Sequence, residues 1–223
     1  MAGAVLKFGG SLAEEPKGFM RLVEALSSLA TRHKLLIVPG GGRFADAVRG
    51  YDKELHLSPA VAHRLAILAM DQYGLLLSDK IKNSRPVYTL KEATHTADTG
   101  ALPILLPSRL IGQRAILPPS WEVTSDSISA YIGRVIKAER LILITDVDGV
   151  FTADPKTNPD AKLLREVTLE QLSSFRPRTC VDLYLPRVLE DSNLRCHIVN
   201  GKHPNRIRSI MEGRPTVSTE ILI

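Results

Sequence analysis

The sequence predicts an α/β fold, a three-layer αβα sandwich around a mainly parallel sheet, and three observations carry that prediction. Apolar runs of strand length alternate with segments of helical periodicity. The runs are continuously apolar rather than alternating, which suits strands buried on both faces. Glycine-bearing turns follow three of them, at Gly9-Gly10, at Gly40-Gly41-Gly42 and at Gly149. In such sheets ligands bind at the carboxyl ends of the strands, where these turns fall.

Residues 4–8 read as a buried strand, and residues 16–32 as a helix with Phe19, Leu22, Val23, Leu26 and Leu29 on one face. Pro16 suits its first turn, because a proline there removes only an N–H that the helix leaves unused. Residues 35–38 form a second short strand, followed by the glycine triplet and a helix over about 43–49. Ser58 is an N-cap candidate with Pro59 behind it, and the helix it starts runs to about Ile81. Val61, Leu65, Leu68, Ala69 and Leu76 recur along it at helical spacing.

A strand at 87–90, a short helix from Lys91 and a strand at 104–106 come next. Pro103, Pro107, Pro118 and Pro119 make residues 103–122 irregular. A helix follows over 126–137, then the clearest strand of the second half at 141–145. A helix at 183–191, a strand at 197–199, a helix at 204–211 and a closing strand at 220–223 complete the chain. With no repeat, low-complexity run or linker, residues 1–223 read as one domain with halves at about 1–125 and 126–223.

The 44% hydrophobic and 24% charged fractions are those of a globular protein, and 223 residues can bury a substantial core. Aromatic residues make up only 5%, which argues against base-stacking platforms and a nucleic-acid partner. The net charge of +5 and the pI of about 9.3 fit an anionic ligand. The basic cluster Lys202, His203, Arg206, Arg208 and Arg214 reads as a solvated helix face. Cys180 and Cys196 lack the spacing of a zinc site or a disulfide framework, so no metal-ligand cluster is expected and a reducing cytoplasm is. No apolar stretch approaches membrane-spanning length, and the first residues lack the pattern of a signal peptide.

Lys7 ends an otherwise apolar strand, where an unpaired ammonium is costly. Beside Gly9, Gly10 and Ser11 it is placed to bind a phosphate, with the alternative that it reaches past the strand end to solvent. Gly40, Gly41 and Gly42 carry an entropic cost that a close backbone approach to a ligand explains better than a loose turn. Thr145, Asp146, Asp148 and Gly149 follow a buried strand and suit Mg²⁺ or nucleotide positioning, or else an Asp-Gly turn with capping carboxylates. Asp126 is a candidate carboxylate or a plain helix cap, and Arg187 a candidate phosphate clamp or a surface arginine. Neither a Walker-type phosphate loop, a dinucleotide fingerprint nor a nucleophile elbow is present.

Lys7-Phe8-Gly9-Gly10-Ser11, Pro39-Gly40-Gly41-Gly42, Ser125-Asp126 and the stretch from Thr145 to Pro155 together resemble the amino acid kinase superfamily, in its order and over nearly the whole chain. The resemblance implies a sheet of about eight strands, ATP- and Mg²⁺-dependent phosphoryl transfer to a small molecule, and a homodimer or larger assembly. It makes Lys7 the lysine that stabilises the transferring phosphoryl group, and Asp126 the carboxylate that orients the catalytic cations. Gly9, Gly10 and Ser11 become the phosphate turn, and Gly40, Gly41 and Gly42 the loop beside the acceptor. Thr145, Asp146, Phe151, Asp154 and Pro155 become the nucleotide segment. The family's second catalytic lysine falls on Pro186-Arg187, where this chain has arginine.

Residues 39–46, residues 66–74, Cys180-Val181-Asp182 and residues 199–204 resemble a small branch that phosphorylates a furan-bearing phosphate monoester to a diphosphate in methanofuran biosynthesis. Such an acceptor carries an amine, so Asp46 or Asp71 is expected to pair with it and Arg43 with its phosphate. Isopentenyl phosphate kinases place a histidine on the helix after the glycine triplet, and residues 43–50 contain none. Uridylate and amino acid kinases, and a non-catalytic ATP- or oxyanion-binding storage protein, are the other readings.

Overall fold

The computed structural model describes residues 3–111, 117–155, 157–175, 179–190 and 192–223. In chain order the strands are β1 (Ala4–Phe8), β2 (Leu35–Pro39), β3 (Ser84–Val87), β4 (Leu102–Leu105), β5 (Arg140–Thr145), β6 (Glu166–Thr168), β7 (Arg195–Asn200) and β8 (Thr219–Leu222). They form one eight-stranded sheet in the order β3-β4-β2-β1-β5-β7-β8-β6. Every pairing is parallel except β7 with β8. The helices are α1 (Pro16–Ala30), α2 (Gly42–Leu55), α3 (Pro59–Lys80), α4 (Leu90–Asp98), α5 (Ser108–Ile111), α6 (Ser125–Val135), α7 (Leu169–Ser174), α8 (Leu185–Leu189) and α9 (Pro204–Met211).

The central strand β1 shows how the layers arise. Successive side chains of a strand point to opposite faces. Ala4, Leu6 and Phe8 enter the core shared with Leu22 and Leu26 of α1 and Ile207 of α9. Val5 enters the other core, shared with Ile128 and Ile132 of α6 and Val188 of α8. Lys7 has the parity of Val5, so its side chain leaves the sheet on the α6 side. Full burial of β1 and β2 on both faces matches their continuous apolar sequence.

The helices differ from the sequence expectation chiefly at their ends. The helix expected over 43–49 runs to Leu55 and stops where His56 adopts a left-handed φ of 52°. Ser58 occupies the N-cap of α3 without a side-chain capping bond. Val61, Leu65 and Leu68, regular as their spacing is, face outward, while Ala69, Met70, Tyr73 and Leu77 are buried. The helix expected over 126–137 starts one residue earlier, with Thr124 at the N-cap, so Asp126 is not its cap. Of the helix expected over 183–191, residues 185–189 are helical and residue 191 lies outside the described residues.

The strand expected at 87–90 lies at 84–87 instead. Thr89 is committed to a capping box at the start of α4: its hydroxyl accepts the Glu92 N–H at 3.1 Å, and the Glu92 carboxylate accepts the Thr89 N–H at 3.1 Å. α5, which falls in the stretch expected to be irregular, together with β6, α7 and the 3₁₀ turn over Gly10–Glu14, was not expected. Among the described residues no helix is long and apolar enough to cross a membrane.

Candidate active site

The turns after β1 and β2 touch backbone to backbone. A Cβ on Gly10 would overlap the Gly42 backbone, and Gly42 itself sits at φ +52°, where a side chain is strained. The Gly40 N–H donates to Phe8 O at 2.8 Å, and the Gly9 N–H donates to Ile144 O at 2.9 Å, tying both turns to the strand ends. The two glycine groups thus form one continuous floor where β1, β2 and β5 end side by side. Above it opens a cavity of about 310 Å³ lined by Gly9, Gly10, Ser11, Gly40, Gly41 and Gly42, together with Lys7, Asp126, Thr145 and Asp146.

Lys7 Nζ lies 2.8 Å from Asp126 Oδ1, and the two side chains are 10% and 2% exposed. The pairing resolves the cost of an ammonium on an apolar strand. Asp126 Oδ2 accepts the Asp182 N–H at 3.1 Å, while Oδ1 is buried and faces the Lys7 ammonium. Asp182 is the hub behind it. Its Oδ2 accepts the Thr124 N–H at 2.8 Å and the Ser127 N–H at 3.0 Å, and its Oδ1 accepts the Leu185 N–H at 2.9 Å. One carboxylate therefore caps the starts of both α6 and α8, which explains why Thr124 makes no capping bond of its own. Burial pushes the Asp182 carboxyl up, the nearby Asp126 charge adds to this, and the hydrogen bonds from Ser127 and Thr124 oppose it.

On the β5 side, Thr145 O accepts the Gly201 N–H at 2.8 Å, and the Thr145 hydroxyl lies 3.3 Å from Asp146 Oδ1. Asp148 turns away from the cavity. It accepts from Asn200 Nδ2 at 2.9 Å and pairs with Arg206 at 2.5 Å, so part of the late basic cluster is engaged with this loop rather than only solvated. Burial would raise the Asp148 carboxyl, but the Asn200 amide and the Arg206 guanidinium outweigh it and hold it below the usual range. Gly149 O lies 3.4 Å from Cys180 Sγ. Cys180 lines the cavity, but burial, with the Asp126 charge, pushes its thiol up to about 12. Phe151 forms an isolated bridge with Leu163, and Asp154 O accepts the Asn158 N–H at 2.9 Å. Neither these two nor Pro155 lines the cavity.

The end of the cavity beside α2 is built differently from the sequence expectation. Asp46 lines it, but Arg43 is exposed outside it. Asp71 is engaged elsewhere, accepting the Ser108 N–H at 3.1 Å and the Ser108 hydroxyl at the start of α5. Burial raises its carboxyl, and those bonds oppose the rise. Arg187 is exposed on α8 with its guanidinium 5.7 Å from the Tyr184 ring centre, outside the cavity lining. The cavity gains Arg49, His63 and Trp121 in their place. Arg49 Nη1 is 2.7 Å from Asp46 Oδ1, and its guanidinium carbon lies 5.0 Å from the centre of the Trp121 ring. Trp121 Nε1–H donates to Asp52 Oδ2 at 2.7 Å. His63 reaches the cavity from α3, so a histidine is present although α2 carries none; among the described residues its Nε2 has no hydrogen-bond partner, and burial lowers its pKa against a hydrogen bond that the ring donates to the Ser120 backbone.

Asp182, Arg49, His63 and Trp121 escaped the site reading of the sequence. Asp182 carried a signal in the Cys180-Val181-Asp182 segment without being given a role, and Trp121 one as the single tryptophan of an aromatic-poor chain. Among the described residues no group of three or more His, Cys, Asp or Glu side chains is placed to hold a metal ion.

A family model described as the amino acid kinase family matches residues 3–200. The [5-(aminomethyl)furan-3-yl]methyl phosphate kinase of Methanocaldococcus jannaschii is 34% identical over 98% of this chain and 97% of its own length. A uridylate kinase of Methanococcoides burtonii is 24% identical over 93% of this chain and 90% of its own. Among solved structures, uridylate kinase from Archaeoglobus fulgidus superposes with a TM-score of 0.78 at 24% identity, covering 100% of both chains. Isopentenyl phosphate kinase from T. acidophilum gives 0.66 at 20% identity, covering 98% of this chain and 99% of its own.

Proposed function

Because the chain belongs to the amino acid kinase family and is an ATP-dependent small-molecule kinase, we propose that it phosphorylates a phosphate monoester to a diphosphate. The acceptor in this reading is [5-(aminomethyl)furan-3-yl]methyl phosphate, as in its relative from Methanocaldococcus jannaschii. That places the enzyme in the methanofuran pathway. The observation that carries the reading is the Lys7–Asp126 pair, set where two interlocked glycine turns meet and open to a cavity whose other end holds Asp46.

In this reaction an oxygen of the acceptor phosphate attacks the γ-phosphorus of ATP. The bond from that phosphorus to the β–γ bridging oxygen breaks, and ADP leaves with its electron pair. A phosphate monoester has a second pKa of about 6, so the nucleophile is already an oxyanion at neutral pH and no side chain need take its proton. What the protein supplies is position and charge. Gly9, Gly10 and Ser11 receive the ATP phosphates, Gly40, Gly41 and Gly42 face the acceptor, and Lys7 stabilises charge on the transferring group. Asp126 holds Lys7 in place, and Asp182 holds Asp126.

The donor set fits Mg²⁺ delivered with ATP. Asp126 and Asp146 both line the cavity beside the glycine turns and supply carboxylate oxygens there. Magnesium on a nucleotide needs only one or two carboxylates, and when bound it neutralises phosphate charge. Thr145 and Asp146 border the nucleotide side, with Asp148 and Gly149 shaping the loop that carries Phe151, Asp154 and Pro155. Asp46 is the carboxylate for the substrate ammonium.

The enzyme acts as a homodimer in this account. Tyr51 and Leu55 of α2, with Val61, Leu65, Leu68 and Leu75 of α3, expose an apolar stripe that a second copy would cover. The function is tested by incubating ATP with candidate phosphate monoesters and identifying a diphosphate product by mass spectrometry. Consumption of ATP without any acceptor-derived product would reject it.

A further inference from the structure

We infer that Arg49 is the ligand of the acceptor phosphate, held ready by an ion pair with Asp46 that the substrate itself exchanges. The inference rests on the reading of the acceptor as an amine-bearing phosphate monoester. Arg49 and Asp46 lie one turn apart on α2, and both line the cavity that contains Lys7, whereas Arg43 is exposed outside it.

The pair is built to open. Its side chains are 48% and 62% exposed, and contacts of that kind contribute about 0–1 kcal/mol. A guanidinium has five N–H donors, and the pair with Asp46 engages it through Nη1 alone. Its plane is supported from the side by Trp121, whose indole is in turn fixed by its bond to Asp52. Stacking of this kind uses none of the hydrogen-bond donors, so Arg49 is positioned while its edge stays available to a phosphate.

A substrate with a phosphate at one end and an ammonium at the other carries the charges complementary to this pair. Its phosphate takes the guanidinium, and the carboxylate released from Arg49 takes the ammonium. One exposed ion pair becomes two charge-assisted contacts. An acceptor without the amine gains the first contact but leaves Asp46 unpaired beside a phosphate.

The test is steady-state kinetics on Arg49→Gln, Arg49→Lys and Asp46→Asn, with the aminomethyl-furan phosphate and its hydroxymethyl analogue as acceptors. Arg49→Gln should raise the KM of either acceptor by about tenfold or more while leaving the KM of ATP within about twofold. Arg49→Lys should fall between, since an ammonium cannot make the two-pronged contact. Asp46→Asn should raise the KM of the amine-bearing acceptor and leave or lower that of the analogue. Thermal unfolding checks that the variants fold like the wild type. An acceptor KM unchanged in Arg49→Gln, or equal losses for both acceptors in Asp46→Asn, overturns the inference. A wild type that prefers an amine-free acceptor would instead overturn the proposed substrate, and Arg49→Gln would still raise that acceptor's KM.

Discussion

Asp182 reaches Lys7 through Asp126: the Asp182 N–H donates to one oxygen of Asp126 at 3.1 Å, and the other oxygen lies 2.8 Å from the Lys7 ammonium. Lys7 comes from the central strand and Asp182 from the turn before α8. The relay therefore locks the sheet, the start of α6 and the start of α8 into one arrangement around the point where phosphoryl transfer is proposed.

Loss of the ammonium should slow turnover more than it weakens ATP binding, because the charge it meets is largest in the transition state. Lys7→Ala is expected to lower kcat by about a hundredfold or more, the scale for removing one such group. Its ATP dissociation constant, measured by calorimetry, should change far less. Near-normal turnover would return Lys7 to a structural strand-end role.

Asp182→Asn should damage both fold and catalysis. An amide in that place turns a donor toward backbone N–H groups that need an acceptor, which costs about 1–3 kcal/mol for each buried group left unpaired. Urea unfolding should show the loss, and kcat should fall while Asp126 and Lys7 are chemically intact. A variant as stable and as active as the wild type would remove Asp182 from the relay.

Asp148 gives the pH dependence its sign. Its carboxyl is held below the ordinary range in the folded chain, mainly by Asn200 and Arg206 once its burial is offset. Stability from this contact is present above the ordinary carboxylate pKa and is lost as pH falls through the lower folded value. Asp148→Asn should thus melt earlier than the wild type at pH 7, with the gap closing in acid. A gap that is constant with pH would show that the charge on Asp148 is not what matters.

The apolar stripe on α2 and α3 should govern assembly. Leu68→Glu places a charge in its middle and should convert the proposed dimer to monomers, read by light scattering on a sizing column. A wild type that is already monomeric would contradict the dimer.

The sheet was legible wherever a strand is central. β1, β2 and β5 are buried along nearly their whole length, so sequence alone marks them, and the glycine turns follow from them. Edge strands gave less signal. In β3 only Val87 is buried, and Pro86 interrupts the run, so a strand was expected three residues later. β6 has three residues with one buried, too short for any periodicity to register. At the site, Lys7, Asp126 and the six turn residues share a local motif or a strand end. Arg49 and Trp121 meet only when the chain closes: the Trp121–Asp52 bond joins residues 69 positions apart. The same holds for Arg43 and Arg49, which lie on one helix but on different sides of its cavity wall. Sequence cannot say which arginine faces inward until the angle of α2 is known.

The most direct test of the central claim is the kcat/KM of the wild type for [5-(aminomethyl)furan-3-yl]methyl phosphate, its hydroxymethyl analogue, isopentenyl phosphate and UMP under one set of conditions. An ion-paired hydrogen bond to the amine is worth about 1.5–3 kcal/mol, so the amine-bearing compound should lead its analogue by about tenfold or more and be converted to the diphosphate. A higher kcat/KM for any of the three amine-free compounds would contradict the account.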